Sequence, residues 1–222
     1  MVVMENKTKI KICGLTRAED IENVNKLLPD YIGFVFWDKS KRNVSKEKAA
    51  ELKALLASGI KAVGVFVDAD PEFVADLVKD GIIDIAQLHG TEDASYIERL
   101  RESVNIRLQE RIDSSRDKGD TTPEFEIIKA FNVNRLDSLE EAERSAADYI
   151  MVDSGKGSGV TFDWSKLEGL ERPYFLAGGL NPDNVKEVME KLHPYGVDVS
   201  SGVETDGVKD AAKMVRFMKA LR

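Results

Sequence analysis

The chain has 222 residues, a single cysteine and a formal net charge of −8. That length suits one domain of α/β-barrel size, burying roughly 70% of the extended chain's surface without a staple. One cysteine excludes an intramolecular disulfide, the absence of about 18 consecutive apolar residues excludes a transmembrane helix, and an acidic balance without a dense basic block argues against nucleic-acid and membrane partners.

Taken in chain order, short β-branched or aromatic runs alternate with stretches of helical periodicity. Strands are predicted at 9–13, 31–36, 62–67, 84–88, 126–131, 149–153, 174–177 and 196–199. Helices are predicted between them at 17–28, 45–57, 71–80, 93–102, 138–146, 182–191 and 208–221. Pro71 and Pro182 stand where a first helical turn tolerates them, behind Asp70 and Asn181 as caps. The sixth connection, around 164–169, is weak as a helix. Residues 104–123, between the fourth helix and fifth strand, are polar and predict a solvated excursion. No repeat or domain boundary interrupts the alternation. Eight strand-then-helix units predict a parallel sheet closed into a single-domain (β/α)8 TIM barrel spanning residues 1–222, with an open doubly wound sheet as the alternative.

Active sites of such barrels lie at the C-terminal ends of the strands. At those ends stand Cys13, the WDKSKR run with Arg42, His89, Asp153, the pair Gly178–Gly179, and Ser200, Ser201 and Gly202. Strand alternation adds direction. In KIKIC, Lys9, Lys11 and Cys13 share one face, and two ammonium groups predict that this face lines the lumen. The same parity turns Gln87, His89, Asp198 and Ser200 inward, and Lys129 and Asp153 are expected to join them, with opposite charges pairing as buried charges must. Three loops suit an anion: the glycine-rich run at 155–164, AGGLNPDN at 177–184, and SSGVE at 200–204, which can open a short helix with unpaired N–H groups.

Plainer readings accompany each residue. A cysteine near the end of an apolar strand is commonly a buried thiol, Asp153 can cap a turn, and Arg42 lies in a charge run of the kind that is usually solvated. His89 can be structural, and His193 before Pro194 suits a helix end. Two histidines and one cysteine at wide spacing make no recognisable metal site. Trp164 reads as a packing anchor, and Asp163 as a residue that orders its loop.

The stretches KICGLTR (11–17), GFVFWDKSKRNVS (33–45), QLHG (87–90), DSGKGSGVTFDW (153–164), LAGGLNPDNV (176–185) and VDVSSGVE (197–204) resemble, in order and over nearly the whole chain, the motifs of the phosphoribosylanthranilate isomerases of tryptophan biosynthesis. Asn43 stands in place of a common tyrosine of that family, and Val160 in place of a frequent basic residue. The resemblance implies an Amadori rearrangement of an aminoaldose to an aminoketose. By position it assigns Cys13 as general base, Asp153 as general acid and Arg42 as the grip on the anthranilate carboxylate. It places the phosphate at Gly178, Gly179, Ser200, Ser201 and Gly202; His89 is a further candidate contact with substrate. No cofactor is implied, because a protonated imine is itself an electron sink.

Two alternatives stay open: a related aminoaldose isomerase of histidine biosynthesis, against which Cys13 argues, and a non-catalytic barrel that binds a sugar phosphate. With one free cysteine and no apolar run in residues 1–8 long enough for a signal peptide, a cytoplasmic location is expected. Whether the protein is a monomer or a homodimer is open.

Overall fold

The computed structural model describes residues 7–114, 125–133, 139–153, 167 and 169–222. Eight parallel strands close into a barrel in sequence order: β1 (Lys9–Cys13), β2 (Tyr31–Phe36), β3 (Lys61–Phe66), β4 (Ile85–Leu88), β5 (Glu126–Asn132), β6 (Tyr149–Asp153), β7 (Tyr174–Ala177) and β8 (Gly196–Val199). Pairing of β1 with both β2 and β8 closes the ring. The predicted (β/α)8 barrel is therefore present, and the open-sheet alternative is not.

The helices are α1 (Ala18–Leu27), α2 (Lys46–Ala54), α3 (Pro71–Lys79), α4 (Ala94–Ser114), α5 (Glu140–Glu143), α6 (Val185–Leu192) and α7 (Ala211–Leu221). Their starts follow local chemistry. Ser45 and Asp70 accept the N–H groups of Lys48 and Glu72, and Asp210 accepts that of Lys213, so each satisfies a donor the first turn leaves unpaired.

Several predicted boundaries move. Helix α4 runs twelve residues beyond 102, because Val104 and Leu108 continue its apolar stripe and are buried. The predicted excursion therefore begins as helix, and its remainder, 115–123, lies outside the described residues. Pro182 does not open α6. The Asn181 side chain instead accepts the N–H groups of Asp183 and Asn184, which holds a separate turn ahead of Val185. Residues 208–209 are not helical: β9 (Glu204–Thr205) and β10 (Val208–Lys209) form a small antiparallel hairpin before α7. His193 ends α6 in the left-handed region at φ 45°, as a helix-end residue.

The two-residue strand period sorts the core into two compartments. Ile10, Ile12, Phe34, Phe66, Leu176 and Val197 face outward to the helices, whereas Tyr31, Val63, Ile85, Ile128, Met151 and Phe175 fill the lumen. The lower lumen is aromatic. Phe175 meets Tyr31, Tyr149 and Tyr195 edge-on, with ring centroids 5.4–5.9 Å apart, and thereby plugs the barrel. This leaves the upper lumen for polar groups.

Lys129 departs from expectation. Its neighbours Ile128 and Ala130 belong to the lumen, so Lys129 faces the helix layer, where Glu92 Oε2 (2.9 Å) and the Gly90 carbonyl (2.8 Å) accept from its ammonium. An ammonium is tolerated there because Glu92 reaches it from the β4–α4 loop.

Replacing Phe175 by Ala should open the plug and cost about 3–5 kcal/mol of stability. Urea unfolding of the purified variant measures this directly.

Candidate active site

Every described residue assigned a catalytic or binding role by sequence stands at the C-terminal rim, on β1 and β6 or in the loops after β2, β4, β7 and β8. The positions within 155–164, including Val160, Asp163 and Trp164, lie outside the described residues.

Cys13 ends β1 facing inward and is 7% exposed. Beneath it, Lys11 is fully buried and pairs with Asp198 on β8 at 3.0 Å. Burial pushes the Cys13 thiol above its ordinary value, and the Lys11 ammonium opposes that rise. Ser200 Oγ donates to the Cys13 carbonyl at 3.0 Å, tying the end of β8 to the end of β1.

Across the mouth, Asp153 ends β6. His89 Nε2 lies 3.2 Å from Asp153 Oδ2, and the buried Gln87 amide nitrogen lies 3.2 Å from His89 Nδ1. The ring is held between the Gln87 amide at Nδ1 and the Asp153 carboxyl at Nε2. Gln87 thus orients His89, and His89 meets the acid. The second inward position of β4, rather than His89 alone, fixes this arrangement.

Arg42 reaches the same rim from the loop after β2. Its side chain crosses Gly14, where an added Cβ would approach Arg42 Cδ to 2.4 Å. Its Nε and Nη2 donate to the two carboxylate oxygens of Glu204 at 2.7 and 2.6 Å. The two-pronged grip expected for a ligand carboxylate is thus made here to Glu204. Lys209, buried, donates to Glu204 and to the Ser200 carbonyl. Burial pushes the Glu204 carboxyl up, but hydrogen bonds from Arg42 and Lys209 outweigh it and hold the group below the usual glutamate value. Glu204 closes the VDVSSGVE motif, yet its partner Lys209 had no sequence signal beyond a charge in a turn.

The anion loops converge. Gly178 and Gly179 have φ of 92° and 67°, which lets the chain turn sharply after β7. Ser201–Val203 forms a single 3-10 turn after β8, shorter than a helix. Gly202 packs so closely on that neighbouring loop that a Cβ would come within 1.8 Å of the Leu180 carbonyl oxygen. Loops seven and eight are therefore pressed together beside Ser200.

A family model for N-(5'-phosphoribosyl)anthranilate isomerase matches residues 10–122 and 113–220. The chain belongs to the N-(5'-phosphoribosyl)anthranilate isomerase family. Among relatives so named, that of Acetivibrio thermocellus is 44% identical over 97% of this chain and 96% of its own length. The solved phosphoribosylanthranilate isomerase of Thermotoga maritima superposes with a TM-score of 0.76 at 31% identity, covering 96% of this chain and 98% of that one. A further isomerase structure of the family, in complex with reduced 1-(o-carboxyphenylamino)-1-deoxyribulose 5-phosphate, gives a TM-score of 0.73 at 31% identity, covering 96% of this chain and 98% of that one.

Around this isomerase-family rim, and among all described residues, no three His, Cys, Asp or Glu side chains group as a metal site. No described helix is long and apolar enough to cross a membrane. A cavity of about 520 Å³, lined by Lys9, Arg172, Tyr174, His193 and Tyr195 among others, opens at the opposite, N-terminal end of the barrel. It takes no part in the rim chemistry.

Because Glu204 is held ionised, its contribution is complete above the unfolded glutamate value of about 4.3 and is lost as pH falls through its lower folded value. Glu204→Gln leaves Lys209 buried with a weakened partner and should cost about 3 kcal/mol near neutrality. The gap from the parent chain should narrow on acidification through that window, as read by urea unfolding at a series of pH values.

Proposed function

We propose that this chain isomerises N-(5'-phosphoribosyl)anthranilate to the corresponding 1-deoxyribulose 5-phosphate aminoketose, with Cys13 as general base and Asp153 as general acid. The observation that carries the reading is that both groups end inward-facing strands at the same barrel mouth, beside the closely packed loops after β7 and β8. Family membership supplies the substrate class.

The chemistry accounts for each group. Asp153, as carboxylic acid, delivers a proton to the furanose ring oxygen while the C1′–O bond breaks and the anilino nitrogen lone pair forms the iminium. The Cys13 thiolate then takes the C2′ proton. An S–H bond forms, the C–H electron pair neutralises the iminium, and an enolamine results. Loss of the enol proton and protonation at C1′ give the aminoketose. A thiol titrates nearer neutrality than most side chains and so can serve as base. His89, bonded to Asp153 and steered by Gln87, orients the acid.

In this reading Gly178, Gly179, Ser200, Ser201 and Gly202 hold the phosphate through backbone N–H groups of the paired loops. Arg42 presents its remaining guanidinium edge to the anthranilate carboxylate while Glu204 fixes the other. The substrate is a small phosphorylated molecule, and the reading needs neither nucleic acid nor membrane. A cytoplasmic setting agrees with the lone reduced thiol.

Adding the purified chain to N-(5'-phosphoribosyl)anthranilate should quench its fluorescence with multiple turnovers. Binding without loss would instead identify a sugar-phosphate sensor. Cys13→Ser and Asp153→Asn should each lower kcat by about 10²–10⁴-fold in a folded protein. Near-normal kcat in either variant removes that residue from the mechanism. Arg42→Ala should raise KM more than it lowers kcat, since a carboxylate grip acts in ground and transition states alike.

A further inference from the structure

Lys11 is the feature of the lumen that this mechanism leaves unused. It is fully buried, yet it carries an ammonium into the middle of the barrel. Tyr31, its partner in the β1–β2 register, belongs to the aromatic plug around Phe175. Beside it, Asp198 is its direct neighbour across the β1–β8 ladder and accepts at 3.0 Å. Above it, two residues along the same strand face, is Cys13.

The thiol is confined on its other side. Gly33 faces Cys13 in the β1–β2 register, and a Cβ there would lie 2.6 Å from Sγ. The sulfur therefore occupies the volume that any other residue at position 33 would fill.

We infer that Lys11, clamped by Asp198, is a positioning residue that stabilises the Cys13 thiolate from inside the barrel. The inference rests on the isomerase reading for its purpose, but its electrostatics can be measured without turnover. An apolar environment disfavours a thiolate, and an adjacent fixed cation is the remedy available in a closed lumen. Other charges face the same sulfur: Asp198 from β8, which pushes the thiol up, Lys209 from β10, which pulls it down, and Arg42 from the loop after β2. Lys11 differs from the half-exposed Arg42 because burial shields it from screening by solvent, and from the buried Lys209 because it lies two residues before Cys13 on the same strand face. As mere filler the ion pair would be a poor choice, since an apolar pair of similar volume is commonly as stable or more so.

The chain contains one cysteine, so thiolate ultraviolet absorbance, corrected with Cys13→Ser, reports on Cys13 alone. Two variants should move the titration midpoint in opposite directions. Lys11→Met should raise it by about one pH unit or more, roughly a tenfold loss of thiolate below the midpoint. Asp198→Asn, which keeps an oxygen for the ammonium but removes its charge, should lower it. The acid limb of kcat/KM should follow each shift. An unchanged midpoint in folded Lys11→Met overturns the inference. Should that variant not fold, Asp198→Asn decides, and a midpoint that stays or rises is equally fatal. Normal turnover with unmoved midpoints would sink this role and leave the isomerase reading standing. Opposite shifts in a chain that never consumes the substrate would uphold the role and sink the isomerase reading.

Discussion

The two-residue period of a strand, imposed on a closed ring, is the constraint from which the site follows. Once Ile10 and Ile12 are committed to the helix layer, Lys11 and Cys13 have only the lumen to enter. The same rule on β4, β6 and β8 sends in Gln87, Asp153 and Asp198. Aromatic rings close the lower lumen, so the polar ends gather at the other mouth. Neither a loop excursion nor a second domain is needed to bring the ends of β1 and β6 to one barrel mouth, because closure does so.

That arrangement has an electrostatic cost, and the charges at the rim are distributed accordingly. Lys11 has Asp198, and Arg42 and Lys209 share Glu204. Each cation taken from water has an anion within reach, as desolvation demands. Lys129 obeys the same rule outside the lumen with Glu92. The pairing also makes the mouth stiff. Arg42 is fixed by two bonds to Glu204, and Arg17, bonded to Asp20 and to the Lys209 carbonyl, ties the loop after β1 to the β9–β10 hairpin. Preorganised groups of this kind do not have to reorient during the reaction.

Much of this was legible from sequence for a physical reason. Alternation is local, so the inward face of KIKIC and the inward turn of Gln87 and His89 could be read from neighbours alone. What failed was non-local. Lys129 was placed in the lumen by its charge, but the parity of Ile128 and Ala130 decided otherwise, and Glu92 made the outcome tolerable. The extension of α4 depended on Val104 and Leu108 finding a surface to cover, which residue polarity concealed. Arg42's engagement with Glu204 spans 162 residues and has no signature in either segment. The catalytic assignments themselves came from motif resemblance. Position at a strand end narrowed them without distinguishing a reactive thiol from a packed one.

The central claim is that a sulfur on β1 and a carboxyl on β6 address two sides of a single bound molecule. The most direct measurement is a crystal structure of this chain with the reduced aminoketose analogue. The account predicts the ligand's C2′ carbon in contact with Cys13 Sγ, the oxygen that corresponds to the ring oxygen within hydrogen-bond reach of the Asp153 carboxyl, and the phosphate between the loops after β7 and β8. A ligand seated at that rim but touching only one of the two groups would contradict it.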